Sequence, residues 1–383
     1  MKKRLTCGLV SLALLSLPSH AATYVVPTLV VAVLSDDNIL ISADDRQEDI
    51  ITRISPGIAA GYESARLLAN ARYSQDIESY KENPDLDASD MRRFLEASFV
   101  YRLNQLMVFS VDADYNESRI PAELNISTGA GEGRVGGERL NINPALSYRF
   151  SPTSGAQIDY LHSRDRLLGG VKGDTNALNV EYEHSLSPNT QMHYGYTYTH
   201  YAFDNPAVDV EDMMEYVHSP RIGVFHNFSQ FSNLTAQVGP RFTDDEVGLS
   251  TAIMYQRRYS KGRFMLGYDR GAASLIGEPG LVEQSVFNAS VTHEFTNNFE
   301  VNIVSSYGEV ERDASGLSDA KIARASLTAS YRVNDYASVS ATYSYSRQET
   351  SVLEGGNIIP RNVAMLAFTL TYPRRSEPVV FTR

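Results

Sequence analysis

The stretch 336–348, YASVSATYSYSRQ, reads as two interleaved lists. Ala337, Val339, Ala341, Tyr343 and Tyr345 form one, and Ser338, Ser340, Thr342, Ser344, Ser346 and Gln348 form the other. A period of two is the side-chain period of a β-strand. Soluble strands usually carry charge on the wet face and stop after about five or six residues. This run is about twice as long, the span that a tilted strand needs to cross a bilayer.

The pattern recurs along the chain. Ala323, Ala325, Leu327, Ala329 and Tyr331 oppose Arg324, Ser326, Thr328, Ser330 and Arg332. Phe299, Val301, Ile303 and Tyr307 oppose Glu300, Asn302 and Ser306, and Met107, Phe109, Val111 and Tyr115 oppose Ser110, Asp112, Asp114 and Asn116. Short turns near 63–64, 103–104, 151–155, 187–189, 229–233, 260–262, 296–298 and 333–335 alternate with longer acidic or Gly/Pro-rich links. Short turns at one end and long loops at the other mark an outer-membrane barrel. The expected fold is all-β: a transmembrane antiparallel up-and-down barrel of about 18 strands (16–18), wide enough for an aqueous lumen. A soluble sandwich would favour larger aliphatics than these alanines and tyrosines, and a solenoid would repeat its wording.

The remaining composition agrees. Lys2, Lys3 and Arg4, the apolar run 5–17 and Ser19-His20-Ala21 read as a signal peptide over 1–21, too short to span as a helix. Its removal takes away three bases and no acid, so the net charge moves from −12 to −15, a poor match for nucleic acid. The one cysteine, Cys7, leaves with it. The expected organisation is signal peptide 1–21, barrel 22–372 and tail 373–383. Pro56, Pro144 and Pro220 each lie about eight residues before a short turn, where a bulge or the outer end of a ladder is expected.

SDDN (35–38) and DIITRISPGIAAGYES (49–64) carry a resemblance. They resemble the outer-membrane β-barrel porins associated with exopolysaccharide and PEP-CTERM (exosortase) gene clusters, and Ala364, Leu366, Phe368, Leu370 and Tyr372 fit that family's amphipathic last strand. The resemblance covers 24–64 by wording and the rest by pattern. It implies a barrel for export of a secreted polysaccharide, or for diffusion of small solutes. Two features depart from the pattern: PRRSEPVVFTR continues past Tyr372, where the assembly signal usually ends, and the third outer loop lacks the general porins' constriction signature. Pro373 is expected to stop the ladder, leaving a loose tail.

The third long loop, 117–138, contains GAGEGRVGGER. If it folds inward as in general porins, Glu117, Arg119, Glu123, Glu132, Arg134, Glu138 and Arg139 are constriction candidates, with Asp112, Asp114, Arg324 and Arg332 lining the pore. The plainer alternative is a surface loop. A phosphate-loop reading fails for want of a lysine and a strand–loop–helix setting. Other inward acids are Asp76, Glu96, Asp159, Glu181, Glu183, Asp269, Glu294 and Glu300; other inward bases are Arg72, Arg102, Arg149 and Arg263. Such a wall orders water and favours polar solutes, with a slight cation preference. Asp36, Asp37, Asp44, Asp45, Glu48 and Asp49 could hold Ca²⁺ at the outer surface, but without EF-hand spacing a solvated acidic loop is the expected reading. The histidines are scattered, and no motif order supports a catalytic site or a cofactor. The expected function is an outer-membrane channel, not an enzyme, acting in exopolysaccharide export; the alternatives are a general or sugar-selective porin, or a structural or adhesive surface protein. Expected partners are outer-membrane lipid and lipopolysaccharide, polysaccharide or a small polar solute, the barrel-assembly machinery through the last strand, and periplasmic export components.

Overall fold

The computed structural model describes residues 22–125, 127–131, 133–204, 213–243, 246–311, 319–350 and 357–372. The expected signal peptide (1–21) and tail (373–383) lie outside them. The first strands are β1 (Ala22–Asp36), β2 (Asp49–Glu63), β3 (Leu67–Tyr80), β4 (Ala88–Arg102), β5 (Met107–Ser118) and β6 (Gly137–Ser151). Next come β7 (Ser154–Leu167), β8 (Lys172–Ser187), β9 (Thr190–Asp204), β10 (Met213–Ser229), β11 (Ser232–Phe242) and β12 (Val247–Tyr259). Then follow β13 (Gly262–Ser274), β14 (Leu281–Thr296), β15 (Phe299–Glu311), β16 (Ala320–Arg332), β17 (Ala337–Thr350) and β18 (Asn357–Thr371). A one-turn helix, α1 (Pro121–Leu124), lies between β5 and β6.

Every strand pairs antiparallel with its sequence neighbour, and β18 pairs with β1 from Thr28↔Thr371 to Asp36↔Val363, closing an 18-stranded sheet. Closure leaves no open sheet edge, so every strand can exchange its backbone hydrogen bonds with neighbours on both sides. The alternation read in the sequence sorts the two faces. Val31, Val33, Ile54, Ile58, Leu327, Tyr343, Leu366 and Phe368 are exposed on the outside. Their neighbours Ser55, Arg324, Ser326 and Ser344 point into the lumen. No helix among the described residues is long and apolar enough to cross a membrane.

The short turns follow from hydroxyls at strand ends. Ser151, Ser187, Ser229 and Thr296 each accept the backbone N–H two residues on, from Thr153, Asn189, Phe231 and Asn298. This is the Ser/Thr turn, which tightens a connection without glycine. Each is preceded by a one-residue slip in the ladder, at Arg149/Ser151, Ser185/Ser187, Asn227/Ser229 and Glu294/Thr296.

Aromatic residues mark both membrane boundaries. Phe150, Phe228, Phe231, Phe295, Tyr336 and Tyr372 are exposed beside the short turns, with Tyr148 against Phe150 and Tyr336 against Tyr372. Further along, the hydroxyls of Tyr73, Tyr115, Tyr160, Tyr307 and Tyr343 donate to Gln75, Glu117, Asn176, Glu309 and Asn362. Each partner lies one step nearer the long-loop end. A ring in the apolar zone with its phenol reaching a polar neighbour is the arrangement of an interfacial girdle.

The expectation for the three prolines does not hold. Pro56, Pro144 and Pro220 are each the eighth residue of their strand, mid-wall and outward. Pairing to the following strand skips them, from Ile54↔Ile77 to Gly57↔Ser74, Ile142↔His162 to Ala145↔Asp159, and His218↔Phe242 to Ile222↔Val238. The register is the same on both sides of each gap, so there is neither bulge nor ladder end. The missing proline N–H falls toward the next strand, and only the local hydrogen bonds are lost. At Pro220 the gap brings the two backbones close: a Cβ at Gly239 would collide with the Pro220 carbonyl oxygen. Gly239→Ala should destabilise the barrel by about 1–3 kcal/mol through overpacking. The check is the temperature at which the folded, heat-modifiable gel band disappears, which should fall.

Candidate functional site

Chain from the first and third loops enters the long-loop end of the lumen. After Asp36 the first loop turns inward through Asn38, which is completely buried; its amide donates to the Ser42 and Pro360 carbonyls and accepts the Ser42 N–H. Ile41 takes a left-handed backbone (φ 54°), costly for a β-branched residue. Its side chain is held in a small apolar core with Ala88, Met91, Ile120 and Ile359. The SDDN motif also fastens the barrel seam: Asp36 receives a forked pair from Arg361, and Asp37 binds the backbone and side chain of Asn362. Asp49 accepts the N–H groups of Lys81, Glu82 and Asn83. These acids are used one at a time, and no group of three metal-ligating side chains occurs among the described residues.

The third loop crosses to the opposite wall. It leaves β5, and Ala130 is buried against Leu275, Val282, Val310, Ala320 and Ile322 on the β13–β16 side. Asn125, 2% exposed, donates to the Ala130 and Ile276 carbonyls and accepts the Ile276 N–H. Ser127 bonds Gln284, the Gly131 N–H reaches Gln348, and Arg324 donates to the Ala122 carbonyl at 3.0 Å. Gly129 has φ +72°, and the Arg324 guanidinium occupies the space a Cβ would fill. Only glycine accepts both conditions cheaply.

Near the start of this crossing, α1 is held by charge. Glu123 takes a two-pronged contact from Arg92 and a hydrogen bond from Ser118 at 2.7 Å. Arg92 also reaches Glu78, which is shared with Arg53 and with the Tyr80 hydroxyl. Arg134 donates to the Tyr80 hydroxyl and the Ile39 carbonyl, tying the loop to β3 and to the first loop. Burial pushes the Glu123 carboxyl up, but Arg92 and Ser118 outweigh it and hold it below its ordinary 4.5. A group depressed in this way supports the attachment above its ordinary value and loses it as pH falls through the depressed one. Loop attachment through Glu123 should therefore be constant from about pH 8 down to its ordinary 4.5 and weaken only below that. Conductance across this range reads it, and Glu123→Gln should flatten the acid limb.

The expected site residues separate into groups. Glu123 and Arg324 line one cavity in the lumen mouth, and Arg134 connects to Glu123 through Tyr80, Glu78 and Arg92. Asp112 and Asp114 lie lower on the inward wall, Asp114 accepting from Asn116 and Asn141. Arg332, at the end of β16, is near the short turns and far from the loop. Arg139 points inward and grips Asp165 and the Leu124 carbonyl. Glu132 lies outside the described residues. Glu117, Arg119 and Glu138 lie at the rim, around a second cavity that Arg134 also lines. Glu117 shares the parity of Tyr115 and pairs with Arg93, Arg119 pairs with Asp90, and Glu138 pairs with Arg166. The sequence reading missed Arg53, Glu78, Arg92 and Arg361. The signal for them was cross-strand: Arg53 stands directly opposite Glu78 once the β2–β3 register is known.

A closed antiparallel barrel with an apolar exterior, aromatic girdles and a polar interior defines a transmembrane β-barrel. No family model and no curated protein matches the chain. Among solved structures it is similar to Acinetobacter baumannii OccAB4, at 11% identity and TM-score 0.46, over 92% of this chain and 99% of that one. Pseudomonas aeruginosa OpdQ gives 9% identity and TM-score 0.46 over 91% and 98%. The siderophore receptor PirA from Pseudomonas aeruginosa gives 10% identity and TM-score 0.44 over 91% and 80%. Likenesses this distant carry no functional argument, and the functional reading rests on the chain's own geometry.

Proposed function

We propose that this chain is an outer-membrane channel for small polar solutes, narrowed by its third loop. The observation that carries the reading is the set of contacts from residues 122–131 to the far wall, at Arg324, Gln284 and Gln348. A loop anchored on both sides of a lumen divides it into narrower passages, which suits small solutes better than a chain of sugars. The exopolysaccharide-export reading therefore yields to the porin reading; no family model backs the resemblance of 24–64. In this role Glu123, Arg134 and Arg324 shape the constriction, and Asp112 and Asp114 line the passage below. No chemical step is assigned to any of them.

Reconstitution in planar bilayers tests the reading. Wild-type protein should give steady single-channel currents, and excision of residues 127–131 should raise the conductance at least twofold. Absence of current from both forms, in protein that keeps its β-barrel circular dichroism, would overturn it.

A further inference from the structure

Beneath the third loop lies a cavity of about 720 Å³, a size that accepts a small-molecule ligand. Its wall is ordered by register. Asn288 stands opposite Ser306, Ser306 opposite Arg324, Arg324 opposite Ser346, and Ser346 opposite Arg361. Five inward polar side chains thus form one row across five neighbouring strands, about 4.8 Å apart. One step nearer the short turns, Ser326 and Ser344 stand opposite each other. The loop supplies the roof through Ala122, Glu123 and Gly129.

The charges in this cavity balance. Arg361 is neutralised by Asp36, and Glu123 by Arg92. Of the remaining pair, Arg324 lies under the loop and Asp269 lies on the adjoining β13 wall. A free anion would meet Asp269, and a free cation would meet Arg324. A neutral solute carrying many hydroxyls meets neither penalty. It can accept from guanidinium and amide N–H groups and donate to Asp269 and the serine oxygens.

We infer that the row from Asn288 to Arg361, under the third loop, is a binding subsite for a neutral polyhydroxylated solute of mono- or disaccharide size. The inference rests on the channel reading and names its substrate class. The row discriminates by counting hydroxyls, because a buried donor left without a partner costs more than a made bond returns.

The test is block of the single-channel current by sucrose, with sodium gluconate and glucosamine hydrochloride as charged probes. Sucrose should half-block wild-type channels at a concentration at least tenfold below either charged probe. The Ser326→Ala/Ser346→Ala double variant, which removes hydroxyls without disturbing the loop contacts, should raise the sucrose value at least fivefold, measured as fractional block of each form's own open-channel current. Equal or stronger block by gluconate or glucosamine, or unaltered sucrose block in the double variant, overturns the inference. Steady current with no sucrose block overturns it too, while leaving the channel reading in place. Absence of any current sinks the channel reading and this subsite with it.

Discussion

Arg92→Ala should release the third loop and produce the largest change in conductance of any single substitution in the barrel. Arg92 is the guanidinium between Glu123 on α1 and Glu78 on the wall, and it lies within 3.5 Å of Asp76. Removing it leaves Asp76 and Glu78 with Arg53 alone and takes from Glu123 its ion-pair partner. Breaking a buried ionic cluster by deleting one partner costs about 3–5 kcal/mol, because the surviving charges stay desolvated. The barrel itself is held by its closed hydrogen-bond ladder, so the cost falls on the loop. The expected result is a channel with at least twofold higher conductance and frequent current steps, in protein whose heat-modifiable gel shift is retained. Glu123→Gln should give a milder form, since an amide can still accept from Arg92. If Arg92→Ala conducts like wild type, loop 3 is held by its far contacts alone.

The second large effect is expected at the far contact. Gly129→Val adds a branched side chain where the Arg324 guanidinium lies and where φ is +72°. The left-handed backbone alone costs roughly 1–2 kcal/mol for a residue with a Cβ, and a β-branched residue pays more. The clash adds to it, so either Arg324 swings out or the loop lifts. Both outcomes open the cavity roof. Cysteine accessibility reads the opening: a Ser326→Cys reporter should react with a lumen-side thiol reagent several-fold faster in the Gly129→Val background. An unchanged labelling rate would show that the loop tip does not roof the cavity. Arg324→Ala should produce a smaller increase, because the apolar contacts of Ala130 remain.

Much of the barrel was legible because a strand's two faces are written into alternate letters. Once YASVSATYSYSRQ is assigned a wet side and a greasy side, Arg324, Arg332, Asp112 and Asp114 fall inward without reference to any other strand. The short turns were equally legible, since Ser151, Ser187, Ser229 and Thr296 act within three residues of themselves. The prolines were misread for the opposite reason. Whether Pro56 ends a ladder depends on which neighbour its missing N–H faces, and that is a property of two strands together.

The loop residues show the same boundary more sharply. Glu117 and Glu123 are six positions apart in one acidic segment, yet one faces the outer rim and the other the lumen. The parity of β5 places Glu117 outward beside Tyr115, whereas the turn at α1 carries Glu123 back to Arg92. No periodic pattern extends past Ser118, so the letters hold no direction there. Arg92, Glu78 and Arg53 were hidden likewise, because a charge cluster assembled from β2, β3, β4 and a loop exists only when the registers are set.

By itself the chain's alphabet determined a cylinder, its approximate strand number, its lipid face and its turns, because each depends on residues one to three positions apart. Only the tertiary structure decided that the cylinder is crossed by its third loop, and that a row of polar groups from five strands faces the cavity below. Those features join residues up to some 200 positions apart, as Ala122 and Arg324 are, and their energy comes from desolvated charge and shape rather than from local propensity.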